Sequence, residues 1–237
     1  VSRNFVLYGE RDFAAPQILV LPERDPRGYR YVAFLRQKGP VGMHVIGSRD
    51  GIHWDETSVT TLSRIHSDHP NTVVYDPQRD EYVMYLRAKH IYPTSDVIGQ
   101  ERDEVRRDRG QSRRGVARMT SKSLWGEWTG RPQMIITPDE IDAEAGYNFF
   151  YGMPVVHRHG IYWGFLEPFL WNDRIHTELA WSRDGIHFQR LPKRPPLIEY
   201  GPEGAWDDNM VFASPGWVEV GDEWWIYYAG WDGPHDT

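Results

Sequence analysis

Short runs in which apolar and polar positions alternate recur along this 237-residue chain, and they recur in a fixed order. Four are rich in aromatics: YRYVAFL (29–35), DEYVMYL (80–86), GIYWGFL (160–166) and DEWWIYYAG (222–230). Each follows another short run of the same kind: PQILVLP (16–22), NTVVYDP (71–77), MPVVHRH (153–159) and NMVFASP (209–215). A period of two over such lengths, bounded by Gly, Pro, Asn and Asp, predicts half-buried β-strands.

A repeated phrase marks the unit more sharply. SRDGIHW at 48–54, after HVIG, returns as SRDGIHF at 182–188, after ELAW. Asp-Gly between apolar runs predicts a tight turn, because Gly accepts positive φ without steric cost. TSKSLWGEW (120–128) reads as a degenerate third copy, with Trp128 in the place of Trp54 and Phe188. In this reading Asp50 and Asp184 serve the turn, and the three aromatics serve packing.

The predicted unit is inner strand, turn, aromatic strand, loop, third strand, Asp-Gly hairpin, fourth strand. Four antiparallel strands repeated at this period predict an all-β fold, a β-propeller of four-stranded blades. The units run over 14–62, 63–138, 145–195 and 205–237 in a single domain, the fourth reaching its second strand. A propeller closes on itself, so the expectation is a fragment of a longer chain or a truncated gene product, the full ring needing the rest of blade four and one blade more. Helix signals reduce to residues 97–109, an insertion in the second unit. Its Arg102, Arg106, Arg107 and Arg109 read either as a solvated loop or as cations overhanging the site to meet an anionic sugar.

Composition narrows the function. With 40% apolar and 14% aromatic residues the chain can bury a sizeable core. Eleven Trp and thirteen Tyr suit sheet packing and also stacking against sugars. The absence of Cys excludes disulfides and thiolate metal sites, and the net charge of −7 argues against a general nucleic-acid binder. No apolar run is long enough for a membrane helix, and the sequence opens on Val with no signal-peptide pattern. P-loop, dinucleotide and serine-hydrolase motifs are all missing, and no cofactor is implied. His66 and His69, flanking Asp68 in HSDH, lack a clear third ligand for a metal.

The large blades, the SRDGIHW hairpins and the strand ending YYAGWDGPH resemble the furanosidase-type five-bladed propellers of glycoside hydrolase families 32, 43, 68, 117 and 130. YGMPVVHRHGIYWGFL (151–166) and WDDNMVFASP (206–215) are similar to uncharacterised glycosyl-hydrolase-like relatives. The resemblance covers nearly the whole chain and implies an axial site where three carboxylates act. One protonates the glycosidic oxygen while the others stabilise an oxocarbenium-like centre or activate the attacking group.

That trio is not intact. Ala15 precedes Pro16 where the family has Asp, with Asp12 the nearest acid; Ser67-Asp68-His69-Pro70 displaces Asp68 by one; and Gly152 replaces the third-blade Glu. Glu167, at the end of the second strand of blade three, and Asp207 and Asp208, before the inner strand of blade four, are the other acids so placed. The expected catalytic set is therefore Asp68, Glu167, Asp207 and Asp208. The expected substrate contacts are Asp12, Arg36, His69, Arg87, Tyr151 and His235. Asp68, Tyr151 and one of Asp207 or Asp208 are expected to converge on one depression. The implied activity is glycoside hydrolysis on a carbohydrate partner. A carbohydrate-binding propeller without turnover is one alternative. A phosphorylase using Arg36 and Arg87 for the anion is another.

Overall fold

The structure, a computed structural model, describes residues 13–21, 25–37, 42–65, 67, 70–87, 115–128, 130–170 and 172–235. The 97–109 segment, with its four arginines, lies outside them. The first sheet is an antiparallel meander of β1 (Phe13–Val20), β2 (Tyr31–Gln37), β3 (Gly42–Ser48) and β4 (Trp54–Ser63). The second repeats it with β5 (Thr72–Asp76), β6 (Glu81–Arg87), β7 (Val116–Ser121) and β8 (Gln133–Ile136).

A short helix, α1 (Glu140–Glu144), then leads into the third sheet. The strand reading passed over this helix, although TPDEID carries its start signal. Asp139 caps the Asp142 N–H, and the Asp142 side chain accepts from the Asp139 N–H, a reciprocal box that satisfies two otherwise orphaned donors.

In the third unit one long hairpin is broken at Gly152 and Glu167. β9 (Tyr147–Phe150) and β10 (Val155–Arg158) form its first arm, and β11 (Ile161–Leu166) and β12 (Pro168–Leu170) its second. Two backbone bonds, Tyr151 N to Glu167 O (2.7 Å) and Glu167 N to Gly152 O (3.0 Å), bridge the break. At the hairpin tip His159 and Gly160 both have positive φ, as a two-residue type I′ turn requires. The sheet continues through β13 (Thr177–Ser182), β14 (Gln189–Arg190) and β15 (Pro196–Ile198). The fourth unit pairs β16 (Met210–Ala213) with β19 (Tyr228–Trp231) and β17 (Val218–Val220) with β18 (Glu223–Trp225).

The repeated phrase is a repeated structure. Ser48 ends β3 and Ser182 ends β13, and each serine accepts from the glycine N–H three residues on. Asp50 Oδ1 accepts from the Ile52 and His53 N–H groups, and Asp184 Oδ1 from those of Ile186 and His187. Each His then closes its Nδ1 onto the same carboxylate at 2.7 Å. Two expectations are refined. The connection is a loop, residues 49–53 in the first copy and 183–188 in the second, rather than a two-residue turn, and the Asp is needed for its acceptor oxygens as much as for turn propensity. The recurrence of His in both copies follows from this closure.

The core lies between sheets. Leu21, Phe34, Val45 and Leu62 of the first sheet meet Val73, Met84 and Trp128 of the second. Val83 and Tyr85 meet Phe150, Val155 and Tyr162 of the third, and Phe165 meets Ala213 and Trp217 of the fourth. Polar ties run beside each interface. The Gln17 amide donates to Val73 O and accepts from Val73 N, Thr72 Oγ1 accepts from Val155 N, and Thr177 Oγ1 bonds Val211 O and Ala213 N. Sheets packed face to face around an axis, each tied to the next, make a β-propeller.

Candidate functional site

A cavity of about 550 Å³ opens where the inner strands begin. Gln17, Thr72, Tyr151, Met210, Trp231 and His235 all contribute to its wall, so four sheets meet there. No Asp or Glu is among the described residues that line it.

Glu167 stands one layer behind this wall. Gly152 and Pro70 are its neighbours: a Cβ at Gly152 would fall 2.2 Å from Pro70 Cδ and 3.1 Å from Glu167 Oε2. A glutamate at position 152 therefore has no room, and the carboxyl in this part of the site comes from the paired strand instead. Glu167 is 1% exposed, and among the described residues neither of its oxygens has a hydrogen-bond partner. Burial pushes its pKa up to about 8, against the opposing charge of Arg87. Its carboxyl is neutral near pH 7.

Arg87, the last residue of β6, is equally buried and places its guanidinium 4.6 Å from the centre of the Tyr151 ring. Ser67 fixes the strand end by accepting from Arg87 N at 3.0 Å. The Tyr151 hydroxyl meets His235 Nε2 at 3.3 Å, and Phe169 packs against both rings. The His235 N–H donates to Asp173 O at 2.9 Å, which anchors the GPH segment. Arg87, Tyr151, Glu167 and His235, four of the residues singled out from the sequence, are thus brought together.

The other residues singled out lie elsewhere. Asp207 is buried, accepts from the Tyr228 hydroxyl at 2.9 Å, and presses against Gly201, where a Cβ would collide with its Oδ1. Asp208 accepts from Gly204 N (2.7 Å) and Asn209 Nδ2 (2.6 Å) and opens on a separate cavity of about 440 Å³, lined also by Arg174 and Glu203. The expected convergence of Asp207 or Asp208 with Tyr151 is not what the described residues show: Asp207 is held by the Tyr228 hydroxyl of β19, and Asp208 folds back on its own loop, whose N–H groups need acceptors. Arg36 occupies β2 opposite Ala14 and Met43, and its side chain lies outside the described residues. Asp12, His66, Asp68 and His69 also lie outside them. Among the described residues no group of three or more His, Asp or Glu is placed to hold a metal ion.

Sequence reasoning missed Gln17, Asn71, Thr72 and Trp231 as cavity residues. The available signal was positional: Asn71-Thr72, like Asn209-Met210, opens an inner strand. It also missed a second buried cluster in the third sheet. Arg190 binds Asp142 through two 2.7 Å hydrogen bonds and Glu178 through a third of 2.7 Å, and Glu178 continues to His176 at 3.2 Å.

No protein family and no curated protein sequence matches the chain. Solved structures do. An N-acetylgalactosamine deacetylase from F. plautii, in complex with blood group B trisaccharide, superposes with a TM-score of 0.63 at 19% identity, over 93% of this chain and 63% of that one. A thermostable family-43 glycoside hydrolase gives 0.60 at 15% identity, over 92% and 65%. The β-1,2-mannobiose phosphorylase from Listeria innocua, with β-1,2-mannobiose, gives 0.54 at 15% identity, over 86% and 53%. The chain therefore spans about half to two thirds of the length of these three structures. It has the β-propeller fold found among glycoside hydrolases and related enzymes, in agreement with the resemblance carried by its repeats.

Proposed function

We propose that this propeller acts on glycosidic bonds, with Glu167 as the proton donor. The observation that carries the reading is a buried carboxyl, neutral near pH 7, with no hydrogen-bond partner among the described residues and set behind Gly152 and Pro70 at the axial cavity. Such a group keeps its proton for a substrate. Rotation about its side-chain bonds carries the carboxyl past Pro70 toward the space beside Tyr151. There its O–H protonates the leaving oxygen as the C–O bond breaks, the bonding electrons remaining on that oxygen, while water, losing a proton to solvent, or phosphate forms the new C–O bond at the anomeric carbon. Arg87 holds Tyr151 from behind, and Tyr151 with His235 presents a ring and two polar atoms to the sugar. The solved structures of similar fold, two of them determined with a saccharide bound, support this substrate class.

The test separates proton donation from other roles. Glu167→Gln should lower turnover of alkyl glycosides about 10²–10⁴-fold. On dinitrophenyl glycosides, whose leaving group needs no proton, it should retain most of its rate. Equal losses on both would remove the acid assignment. A phosphate requirement for turnover would mark phosphorolysis rather than hydrolysis.

The absence of any carboxylate among the described cavity-lining residues favours a second reading, a carbohydrate-binding propeller without turnover. Calorimetric binding of saccharides with no product over long incubation would support it.

A further inference from the structure

A second cavity, of about 770 Å³, lies between the first and second sheets. β5 connects the two: Thr72 at its start lines the axial cavity, and Tyr75 near its end lines this one. Nothing in the proposed mechanism uses it. Its size falls within the range of small-molecule sites.

The wall has a particular chemistry. Tyr75 and Tyr82 sit with ring centres 5.2 Å apart and tilted by 49°, and Trp125 stands across from them. Asp25 and Asp80 hold two of these side chains: Trp125 Nε1 donates to Asp25 Oδ1 (2.9 Å) and the Tyr75 hydroxyl to Asp80 Oδ1 (2.7 Å). Acceptor capacity is left over. Among the described residues Asp80 Oδ2 receives no hydrogen bond, and the half-buried Tyr82 hydroxyl has no partner. Burial and the charges of Asp25 and Asp80 both raise the Tyr82 pKa, so its hydroxyl stays protonated and faces the two carboxylates.

Charge decides the ligand class. Two cations stand near the two carboxylates without pairing with them. Lys122 donates to the carbonyls of Arg79 and Asp80, and the Arg27 guanidinium lies 4.5 Å from the centre of the Trp125 ring. With two acids and two cations around it the cavity has no net charge to favour an ionic ligand of either sign, and Arg27 covers a face of Trp125. A neutral polyol fits, since its hydroxyls donate to spare carboxylate lone pairs while its C–H face packs on the tyrosine rings. We propose that this cavity is a second, neutral-saccharide-binding site, at the far end of the same strands that form the axial cavity. It stands on its own geometry and not on the role given to Glu167.

The experiment is a titration of the protein with cellobiose, xylobiose, mannobiose and lactose to millimolar concentrations, followed by amide chemical shifts. Tetramethylammonium serves as the cation control. At least one disaccharide should shift the Tyr82 and Ser123 amides. Asp80→Gly and Tyr82→Phe should each weaken that response about tenfold, the size expected for a hydrogen bond to a charged group. Asp80 has φ +50°, a conformation that glycine takes without strain, so the first variant should fold as well as the parent. Glu167→Gln should leave the response unchanged. Shifts confined to Tyr151 and His235, no shifts with any disaccharide, a response to tetramethylammonium alone, or unaltered affinity in both variants would each overturn the proposal.

Discussion

Glu167 of the third unit and Asp142 of the helix leading into it are both acids shut away from water, and their surroundings are opposite. Asp142 is met by two hydrogen bonds from Arg190 and one from the Asp139 N–H. Burial alone would raise its pKa, but those bonds and the Arg190 charge outweigh burial and hold it below the usual carboxylate range. Glu167 receives no hydrogen bond, and burial prevails. The first arrangement ties α1 to the sheet. The second leaves a protonated group beside a cavity, which a purely structural role does not require. Burial alone therefore says little about an acid; its partners distinguish anchor from reagent.

The comparison can be broken by making the same chemical change at each acid. Asp142→Asn strands part of the Arg190 charge and should cost about 3 kcal/mol in denaturant unfolding. Glu167→Gln removes a group that resists ionisation, and above pH 8 it should raise stability by about 1–3 kcal/mol. A loss of stability in both variants would mean that the two acids do the same work.

The pH dependence follows from the same pair, with opposite signs. Glu167 has a folded pKa raised from 4.5 to about 8. Its contribution is full below 4.5 and is lost as pH rises through 8, because the folded state binds the extra proton. Asp142 has a lowered folded pKa, so its contribution is present above its ordinary value and is lost as pH falls through the folded one. Unfolding free energy measured across pH should decline between about pH 4.5 and about 8 in the parent protein and flatten in Glu167→Gln. Turnover that depends on the Glu167 proton should also fall above pH about 8. An unchanged slope between about pH 4.5 and about 8 in the variant would contradict the assigned pKa.

The smallest contrast concerns the two copies of SRDGIH. Gly51 and Gly185 have nearly the same φ, +78° and +70°. An added Cβ at Gly51 would sit 3.5 Å from the Tyr31 ring, an ordinary contact. At Gly185 it would sit 2.7 Å from the Tyr85 hydroxyl oxygen, the group that donates to Gly185 O, and 2.9 Å from Tyr162. Gly51→Ala should then cost about 1–2 kcal/mol for the left-handed backbone alone. Gly185→Ala should cost about 1 kcal/mol or more beyond that for the overlap. Equal melting temperatures in the two variants would show that the Tyr85 contact gives way freely.

The fold was legible because its signals are local. Alternation in YVAFL, EYVMYL and IYWGFL, and turn residues such as His159-Gly160, act over a few residues and specify strand and hairpin wherever the chain places them. The repeat of SRDGIH then declared that the strands come in equivalent sets. Even the SRDGIH loop was partly readable, although its Asp-His closure becomes clear only with both side chains in place. The candidate site was legible by position and not by partnership. Arg87, Tyr151, Glu167 and His235 stood at strand ends or in a terminal motif in the sequence. Only packing could show that Gly152 lacks room for a side chain, that Glu167 has no hydrogen-bonding neighbour, and that Asp208 opens on a different cavity. The reason is range: strand and turn propensities are settled among near neighbours. The protonation and orientation of a buried carboxyl depend on Pro70, Arg87 and Tyr151, which the chain brings together only when its sheets close around the axis.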